Sequence, residues 1–405
     1  MYSKPKIIVV HPGTQHSRQL VKQLDELGLL YQYWTGIAIA KGGILQLIYK
    51  ILPFKFKRKI SNRVIDSVPS KKIKLIPHLE LITVWRHKRT KNKEELYFWR
   101  NKKFQELIPV KYLKECDIVI GFDTASWIII DKCKKINKKF ILESSTISSI
   151  TKENIENNIS LKFPNFEFSK NSKSKKMIDI ELYELINADK VVVASTFCKN
   201  SLIDAAIDNN KIYINPYGVD FLDFNFNSKK IIDVINFVFV GQIVTLKGIW
   251  LLLEVWKNNK FCDDPKITLT LIGPISNNIK NFIQKEYPFV CIKGKVPHNE
   301  LKRCLSSYDV LIFPSYFEGF GLVILEAMAA GLPVITTFST AGLDVITNNI
   351  DGIIFNSGDE ESLSKSINYF IDNKEMIPQM GIKAREKSTN FSWDTYGKRW
   401  VNILN

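Results

Sequence analysis

The chain alternates short apolar runs with polar or glycine-containing turns and longer helical patterns. Residues 7–10 are four consecutive aliphatic residues, a run typical of a buried strand. A turn with Gly13 follows, and then a helical pattern with a leucine-rich face that ends at Gly28. A strand, a turn and a helix in this order begin a doubly wound α/β domain. Similar apolar runs predict further strands, in both halves of the chain, at 117–122, 139–143, 236–240, 267–272 and 310–313.

The strongest local pattern is the stretch 314–334, which predicts a loop, a helix and a helix end. Gly319 and Gly321 break regular structure and give a tight loop whose backbone a ligand can approach closely. Residues 322–330 are apolar on almost every side, so we expect a buried helix. Gly331 suits the position that ends a helix. The order of these elements predicts a ligand-binding loop in front of a core helix.

Two carboxylates interrupt this apolar stretch. Glu318 lies in the loop, and Glu326 lies in the helix, more than one turn beyond its start. The loop amides point out of the helix N-terminus, where backbone N–H groups and the helix dipole favour an anion. A phosphate at the amides, a sugar hydroxyl beside Glu318 and a ribose diol near Glu326 would fit this spacing. The simpler interpretation is a glycine turn before a core helix that tolerates two acids.

These residues resemble the signature of the family 4 retaining glycosyltransferases. The family pattern is a Pro-Ser pair, a short gap, Glu-Gly-Phe-Gly and a second Glu eight residues after the first, and every element has a counterpart here: Pro314, Ser315, Glu318, Gly319, Phe320, Gly321, Glu326, Ala327, Gly331 and Pro333. The resemblance implies an α/β chain with the GT-B fold, in which two Rossmann-like, doubly wound domains face a central cleft.

The same resemblance implies that a nucleotide-sugar binds at this loop. In the family, the first Glu and the following amides hold the donor sugar and its distal phosphate, and the second Glu holds the ribose. Here these roles fall to Glu318, to Glu326 and to the backbone of Gly319, Phe320, Gly321 and Leu322.

Other loops resemble donor-contacting loops of the family. Lys247 matches the lysine of a loop that usually reads Gly-Arg and then Lys-Gly, whereas Gln242 stands where the arginine is usual. A lost charge-assisted phosphate contact costs about 1.5–3 kcal/mol, so we expect weaker donor binding or a substitute cation. Gly13 in the first turn, Gly273 after a strand and Val296 near the expected nucleobase complete the donor-binding set.

The resemblance covers nearly the whole chain and divides it into parts. Residues 1–220 are expected to form the N-terminal, acceptor-side domain, and 221–234 the linker. Residues 235–388 are expected to form the nucleotide-sugar-binding domain, and 389–405 a terminal helix that crosses back to the first domain. The resemblance is weakest between residues 35 and 110.

The net charge of +16 points to partners that carry phosphate. Residues 43–60 combine an apolar pattern with lysines and an arginine, and further basic clusters lie at 71–74 and 86–93. An apolar stripe beside a basic cluster suits shallow insertion into an anionic membrane surface. The alternative is a core helix followed by a solvated basic loop. No nucleic-acid fold signature accompanies the basic segments, so we do not expect nucleic acid as a partner.

The chain shows no secretory segment and no run of the about 18–20 apolar residues that a bilayer span requires. Its six cysteines are scattered without metal-binding spacing, which predicts buried free thiols in a reducing compartment and no metal site. We therefore expect a cytoplasmic protein that can dock on the inner face of the cell membrane.

The expected chemistry follows from the resemblance. A hexosyl-type sugar would pass from a nucleotide diphosphate to a hydroxyl of a glycan or a lipid-linked acceptor, with retention of configuration and without a metal or other cofactor, in cell-surface polysaccharide synthesis. Lys247 and the loop amides would stabilise the leaving diphosphate, and Glu318 would orient the donor sugar. Lys247 and Glu318 are therefore the expected catalytic residues.

Two alternatives to a transferase remain open at this stage. One is a nucleotide-sugar epimerase of the same fold, which would convert its donor without an acceptor. The other is a non-catalytic sugar-nucleotide-binding subunit. The second gains support from Gln242, and from Asp123, which stands near a strand end where the family commonly has a histidine. We assign no acceptor-side catalytic residue.

Overall fold

The N-terminal half of the chain forms a sheet of seven parallel strands. In the computed structural model the described residues are 4–13, 16–53, 57, 60–163, 173–226 and 233–404. Within them, the sheet consists of β1 (Ile7–Val10), β2 (Leu30–Thr35), β5 (Ile73–Leu75), β6 (Ile118–Phe122), β7 (Lys139–Ser144), β8 (Lys190–Val193) and β9 (Ile212–Ile214). Their spatial order is β5-β2-β1-β6-β7-β8-β9. A separate two-stranded parallel ribbon pairs β3 (Ile39–Lys41) with β4 (Val64–Pro69).

A second parallel sheet follows, with six strands in the described residues. These are β10 (Ile235–Val240), β11 (Ile267–Ile272), β12 (Cys291–Gly294), β13 (Val310–Phe313), β14 (Val334–Thr337) and β15 (Gly352–Phe355), in the order β12-β11-β10-β13-β14-β15. The longest pairing joins β10 to β11, in register from Ile235 opposite Ile267 to Val240 opposite Ile272. In each sheet the strand order reverses at the first strand, β1 or β10, which is where open α/β sheets bind ligands. The prediction of two doubly wound α/β units is confirmed.

Helices connect the strands of both sheets. The first half contains α1 (Ser17–Glu26), α2 (Ile44–Ile51), α3 (Pro77–His87), α4 (Lys93–Leu107), α5 (Val110–Lys114), α6 (Trp127–Lys135), α7 (Ser149–Lys162), α8 (Lys175–Asn187) and α9 (Thr196–Asp204). The second half contains α10 (Ile249–Asn258), α11 (Asn277–Glu286), α12 (His298–Cys304), α13 (Leu322–Ala329), α14 (Gly342–Val345), α15 (Glu360–Asp372), α16 (Met376–Ser388) and α17 (Trp393–Leu404). Several begin at a side-chain cap, as α9 does, where Ser195 accepts a hydrogen bond from the Cys198 amide.

Both faces of the strands are buried, which explains their continuous apolar runs. In β1, Ile7 and Val9 belong to one apolar cluster and Ile8 and Val10 to another, so the two faces of the sheet carry separate cores. The first of these clusters continues through the second sheet. Helix α13 lies within it, as predicted, and the chain leaves this helix through Gly331 at φ +82°.

The terminal helix α17 packs on the first half of the chain. The Tyr396 hydroxyl donates a hydrogen bond of 2.8 Å to Glu143 at the end of β7. Lys190 in β8 donates to the carbonyl of Ile403 at 2.6 Å, and Trp400 is fully buried. Helix α17 therefore closes over the first sheet after the chain has completed the second one. Of the predicted linker, residues 227–232 lie outside the described residues.

The segment that sequence reasoning resolved least, 35–110, contains the β3–β4 ribbon and helices α2, α3 and α4. None of the described residues of α2 is buried, so the alternative of a core helix at 43–60 is wrong. The basic and aromatic residues predicted to follow it at 54–56 and 58–59 lie outside the described residues. Across the part of the chain that the structure describes, we find no helix with the length and apolarity that a bilayer span requires.

The expectation of buried thiols holds for part of the cysteine set. Cys116, Cys133 and Cys198 are buried, and burial raises the pKa of each thiol. Cys291 in the edge strand β12 is exposed, which contradicts the expectation for this residue.

Candidate functional site

The carboxyl ends of the two sheets face each other. Ser195, which follows β8, donates a hydrogen bond of 2.8 Å to the carbonyl of Gly319, which follows β13. One residue further on, the Thr196 hydroxyl donates to Asp344 of α14 at 2.6 Å. Loops after parallel strands are where α/β sheets bind ligands, so the cleft between the two edges is the candidate site.

The loop after β13 is held in place by backbone hydrogen bonds. The Glu318 amide donates to the carbonyl of Ser339 at 2.9 Å, and the Ala341 amide donates to the carbonyl of Phe320 at the same distance. Gly321 adopts φ +85°, a left-handed conformation that favours glycine. The loop is therefore held both before Gly319 and between the two glycines.

Buried threonine hydroxyls support this loop from the adjoining strand. Thr336 donates to the carbonyl of Phe313 at 2.9 Å, and Thr337 donates to the carbonyl of Ser315 at 2.7 Å. Thr340 is also buried and donates to the carbonyl of Thr337 at 2.8 Å. Because buried polar groups that are fully bonded resist displacement, this network makes the loop rigid.

Four consecutive amides at the start of α13 are free to bind a ligand. Gly319, Phe320, Gly321 and Leu322 donate no backbone hydrogen bond to any of the described residues. They lie at the N-terminus of α13, where the helix dipole adds positive potential. An anionic oxygen is the group that such a set of donors binds best.

Lys247 and Glu318 form an ion pair directly beside these amides. Their side chains are 23% and 19% exposed, so both can reach a ligand in the cleft. Gly248 makes this approach possible, because it has φ +72° and an added Cβ would lie 2.0 Å from the carbonyl oxygen of Pro314. The structure therefore brings the two predicted catalytic residues together.

The loops after β10, β11 and β12 meet at the carboxyl edge of the second sheet. Gly273 packs so closely on the loop after β10 that an added Cβ would lie 1.7 Å from the carbonyl oxygen of Gly241. The Gly273 amide also donates to the carbonyl of Gly294 at 2.9 Å. Gln242 is exposed and Val296 is half-buried on these loops. Both residues therefore lie on loops at the carboxyl edge of the second sheet.

Glu326 has a partner that sequence reasoning missed. His298, at the start of α12, has Nε2 2.8 Å from Oε1 of Glu326. The imidazole is 56% exposed and the carboxylate 16%, so the pair lies at the open side of the second domain. Only the position of His298 just after Val296 could have indicated it.

Gly13 lies on the first domain, in the loop after β1. Its amide donates to Nδ1 of His11 at 3.2 Å. Burial is the main cause that lowers the pKa of His11 to about 3, so this imidazole is neutral and can accept at Nδ1. Among the described residues, Gly13 makes no hydrogen bond to the second domain, so its predicted donor contact stays a prediction.

A buried polar cluster on the first domain was not assigned from the sequence. Glu143 is 2% exposed, and its Oε1 lies 2.8 Å from both Nε2 of His16 and the hydroxyl of Tyr396. The Tyr217 hydroxyl lies 3.1 Å from the same His16 nitrogen, and the Tyr217 ring packs 5.3 Å from that of Phe320. Burial, and then the charge of Glu143, raise the pKa of both tyrosines well above the usual value.

This cluster links the loop after β13, through Phe320, to the terminal helix α17. The signal available in the sequence was a carboxylate at the end of an otherwise apolar strand. Nearby, Asp123 accepts hydrogen bonds from the amide and the hydroxyl of Ser145, at 3.3 and 3.1 Å. Asp123 and Glu143 therefore stand at the ends of neighbouring strands, at the carboxyl edge of the first sheet.

Comparison with known proteins relates the second domain to a family. Residues 223–387 match the family model described as glycosyl transferases group 1. The chain is 29% identical over 219 residues to the glycosyltransferase MJ1178 of Methanocaldococcus jannaschii, which covers 52% of this chain and 58% of that protein. It is 30% identical to a 41.2 kDa protein in the cps region of Klebsiella pneumoniae, and the match covers 54% of this chain and 64% of that protein. It is 26% identical to the capsular polysaccharide biosynthesis glycosyltransferase CapM of Staphylococcus aureus (52% and 60% covered). These matches span less than two thirds of each relative.

Solved structures match over the whole chain. A glycosyltransferase of Rickettsia africae has 20% identity and a TM-score of 0.61, with 100% of both chains covered. Anabaena Alr3699/HepE in complex with UDP has 12% identity and a TM-score of 0.64, with 98% of this chain and 99% of that chain covered. Sucrose-phosphate synthase of Thermosynechococcus elongatus has 16% identity and a TM-score of 0.66, with 99% and 98% covered. The predicted GT-B fold is confirmed.

Proposed function

Because residues 223–387 belong to the glycosyl transferases group 1 family and the whole chain has the GT-B fold, we propose that this protein is a retaining glycosyltransferase that uses a nucleotide-diphosphate sugar. The observation that carries the proposal is the Lys247–Glu318 ion pair beside the unengaged amides of 319–322. A cation and aligned N–H donors next to a carboxylate suit a diphosphate that is attached to a polyhydroxylated sugar.

The proposed donor lies across the second domain. Its distal phosphate binds the loop amides and Lys247, and its sugar hydroxyls bind Glu318. The ribose binds Glu326, beside His298, and the base lies near Val296. Support for a uridine nucleotide comes from the HepE structures, which contain UDP and UDP-glucose.

In the proposed reaction, the bond between the anomeric carbon and the phosphate oxygen breaks, and a bond to the acceptor hydroxyl forms on the same face. The acceptor proton passes to the departing phosphate oxygen. Lys247 and the amides stabilise the charge that develops on the diphosphate, so the step needs no metal or other cofactor. Glu318 orients the sugar. A β-linked product from an α-linked donor would contradict retention.

The proposed role is cell-surface polysaccharide synthesis on a glycan or lipid-linked acceptor. CapM is named for capsular polysaccharide biosynthesis, and the Klebsiella relative is encoded in a cps region.

Donor binding tests the proposal most directly. The temperature of thermal unfolding should rise when one of UDP, GDP, ADP or CMP, or a sugar conjugate of one of them, is added. A ligand at 100 times its dissociation constant adds about 2.7 kcal/mol to the free energy of unfolding. Glu326→Ala should remove most of this shift, because the ribose loses its carboxylate, while Glu318→Ala should chiefly lower turnover.

The exposed Glu300 of α12 provides a matched control, and Glu300→Ala should keep the full shift. Equal losses of affinity in Glu318→Ala and Glu326→Ala would contradict the division of roles. Conversion of the donor alone into an epimer would identify an epimerase, and binding without any transfer would identify a non-catalytic subunit.

The proposed membrane contact rests on helix α2. Ile44, Leu47 and Ile51 are 78%, 65% and 82% exposed, and they follow one another at helical spacing. Such a face is costly in water and suits the interface of a bilayer, and the excess of basic residues favours anionic lipid.

Vesicle binding tests this contact. The double variant Ile44→Asp, Ile51→Asp should bind vesicles that contain anionic phospholipid at least about tenfold more weakly, because two apolar side chains leave the interface. Ile382→Asp, at an isoleucine 38% exposed in α16, serves as the control and should bind normally. Unchanged sedimentation of the double variant would remove α2 from the membrane contact.

A further inference from the structure

A second face of helix α2 forms one wall of a groove. Between α2 and α3 lies a cavity of about 560 Å³, lined mainly by apolar side chains that include Leu45, Ile48, Leu81, Val84 and Trp85. These residues differ from the outward face of α2 described above, so the helix is apolar on two sides. An apolar groove of this size is typical of a site that binds a ligand or a partner.

The inner end of the groove is charged and reaches the catalytic cleft. Arg63 and Glu80 both line the groove, and their side chains form an ion pair of 2.5 Å. A Cβ added to Gly36, just after β2, would lie 2.7 Å from Oε2 of Glu80 and 2.9 Å from the carbonyl oxygen of Pro12. The pair therefore lies beside the loops after β1 and β2, at the carboxyl edge of the first sheet.

This ion pair has unused hydrogen-bonding capacity. Nη1 of Arg63 and Oε2 of Glu80 are buried, and neither atom has a hydrogen-bond partner among the described residues. A buried polar atom without a partner costs about 1–3 kcal/mol, and native proteins rarely leave two of them together. An anionic oxygen at Arg63 and a hydroxyl at Glu80 would satisfy both atoms.

Two further arginines lie near this ion pair, outside the lining of the groove. Arg18 and Arg100 are both half-buried. Burial is the main cause that lowers the pKa of each, and the charge of Arg63 lowers it further. The Arg100 guanidinium donates a hydrogen bond to the side-chain oxygen of Asn101. The side-chain amide of Asn101 in turn donates to the carbonyl of Thr124 at 2.7 Å, so Arg100 is held near the end of β6. Arg63 pairs with Glu80, and Arg18 and Arg100 lie near enough to Arg63 for its charge to act on them, so this part of the first domain carries an excess of positive charge that attracts an anion.

We propose that this groove binds an amphiphilic acceptor, with its apolar chain between α2 and α3 and its phosphate or diphosphate at Arg63. The proposal rests on the proposed glycosyl transfer and names the acceptor class. The anionic group ends beside the loops after β1 and β2, so the hydroxyl-bearing part of the acceptor extends into the cleft towards Lys247. Trp85 and Arg89 line the same groove, and the Arg89 guanidinium carbon lies 4.0 Å from the centre of the Trp85 ring.

Binding of a soluble alkyl phosphate tests the proposal without a donor. Dodecyl phosphate, kept below its critical micelle concentration, should bind the full chain in calorimetry. Arg63→Gln should weaken this binding at least tenfold through the lost charge, and Ile48→Asp at least tenfold through the apolar wall. Lys50→Gln, at an exposed lysine of α2, and Ile186→Asp, at an isoleucine 62% exposed in α8, are the matched controls and should bind normally.

Three outcomes would overturn the proposal. Inorganic phosphate could bind as tightly as dodecyl phosphate, which would leave only a phosphate site. Dodecyl maltoside could bind equally well, which would make the arginines irrelevant. The groove could instead be closed by a second copy of the chain, in which case the probe would fail and Ile48→Asp would turn a dimer into a monomer.

Folding and the proposed function are controlled separately. The thermal unfolding curve of each variant reports whether the first domain, which carries both substitutions, is folded, and its UDP affinity reports whether the second domain is intact. If Arg63→Gln does not fold, the comparison of dodecyl phosphate with dodecyl maltoside on the unaltered protein still decides the matter. Probe binding without any sugar transfer would contradict the proposed transferase and leave the groove proposal standing. Sugar transfer without probe binding would contradict the groove proposal and leave the transferase standing.

Discussion

Lys247→Met should lower the turnover number of the proposed transferase by about 10²–10³-fold, the usual effect of removing one donor that stabilises developing negative charge. Methionine keeps the apolar stem of the side chain but removes the ammonium group, so the leaving diphosphate loses its cation. Glu318 also loses its ion-pair partner in the cleft. Steady-state kinetics with the donor that shifts the melting temperature would measure the effect on kcat and KM separately.

Lys257→Met is the matched control for this experiment. Lys257 is exposed at the C-terminal end of α10, whereas Lys247 precedes the start of this helix. Replacement of Lys257 should therefore leave turnover unchanged. A Lys247→Met variant with a raised KM and an unchanged kcat would mean that the lysine binds ground state and transition state equally. Its proposed role in stabilising the leaving group would then be wrong.

Gly319→Ala should lower turnover by about 10²-fold or more while donor affinity changes little. An added Cβ would lie 2.1 Å from the carbonyl oxygen of Ser145, which is a backbone atom of the first domain and cannot rotate away. Because buried hydrogen bonds hold the loop on the second domain, we expect the cleft to open, and a displacement of about 1 Å between reacting groups costs about 10²-fold in rate. The proposed donor contacts lie within the second domain, so they should survive this opening.

Gly42→Ala separates this clash from the general effect of losing a glycine. Gly42 has φ +74° with no atom within 4 Å of the added Cβ, so its variant should lose about 1–2 kcal/mol of stability and no turnover. The kcat and the UDP affinity of both variants, measured together, show whether the loss of turnover comes from the clash with Ser145 or from the loss of a glycine. A Gly319→Ala enzyme with full turnover would show that the reaction does not require this approach of the two domains.

The parts of the fold that the sequence predicted are those where every local rule agrees. The strand Ile7–Val10 and the strand Val310–Phe313 begin and end where their apolar runs do. The loop, helix and glycine end after β13 also follow the predicted order, because glycine, helix propensity and burial all favour it. Lys247 and Glu318 were expected at the site, but their pairing across 71 positions is set by tertiary packing.

Other features could not be predicted because their causes are non-local. Glu143 meets Tyr396 from 253 positions away, and neither residue carries a motif. Helix α2 has a pattern that suits either a core or an interface, and only the absence of any covering element in the described structure distinguishes them. The Arg63–Glu80 pair lies in the segment 35–110, where the family resemblance is weakest and neither residue belongs to a motif.

Helix α17 has a consequence for the order in which the protein assembles. Domains emerge from the ribosome and fold from the N-terminus, yet α17 is translated after the whole second domain and packs on the first one. Until it arrives, the buried carboxylate of Glu143 lacks the hydroxyl of Tyr396, and the site that buries Trp400 stands open to water. The contacts that α17 supplies to the first domain can therefore form only after the second domain has been synthesised.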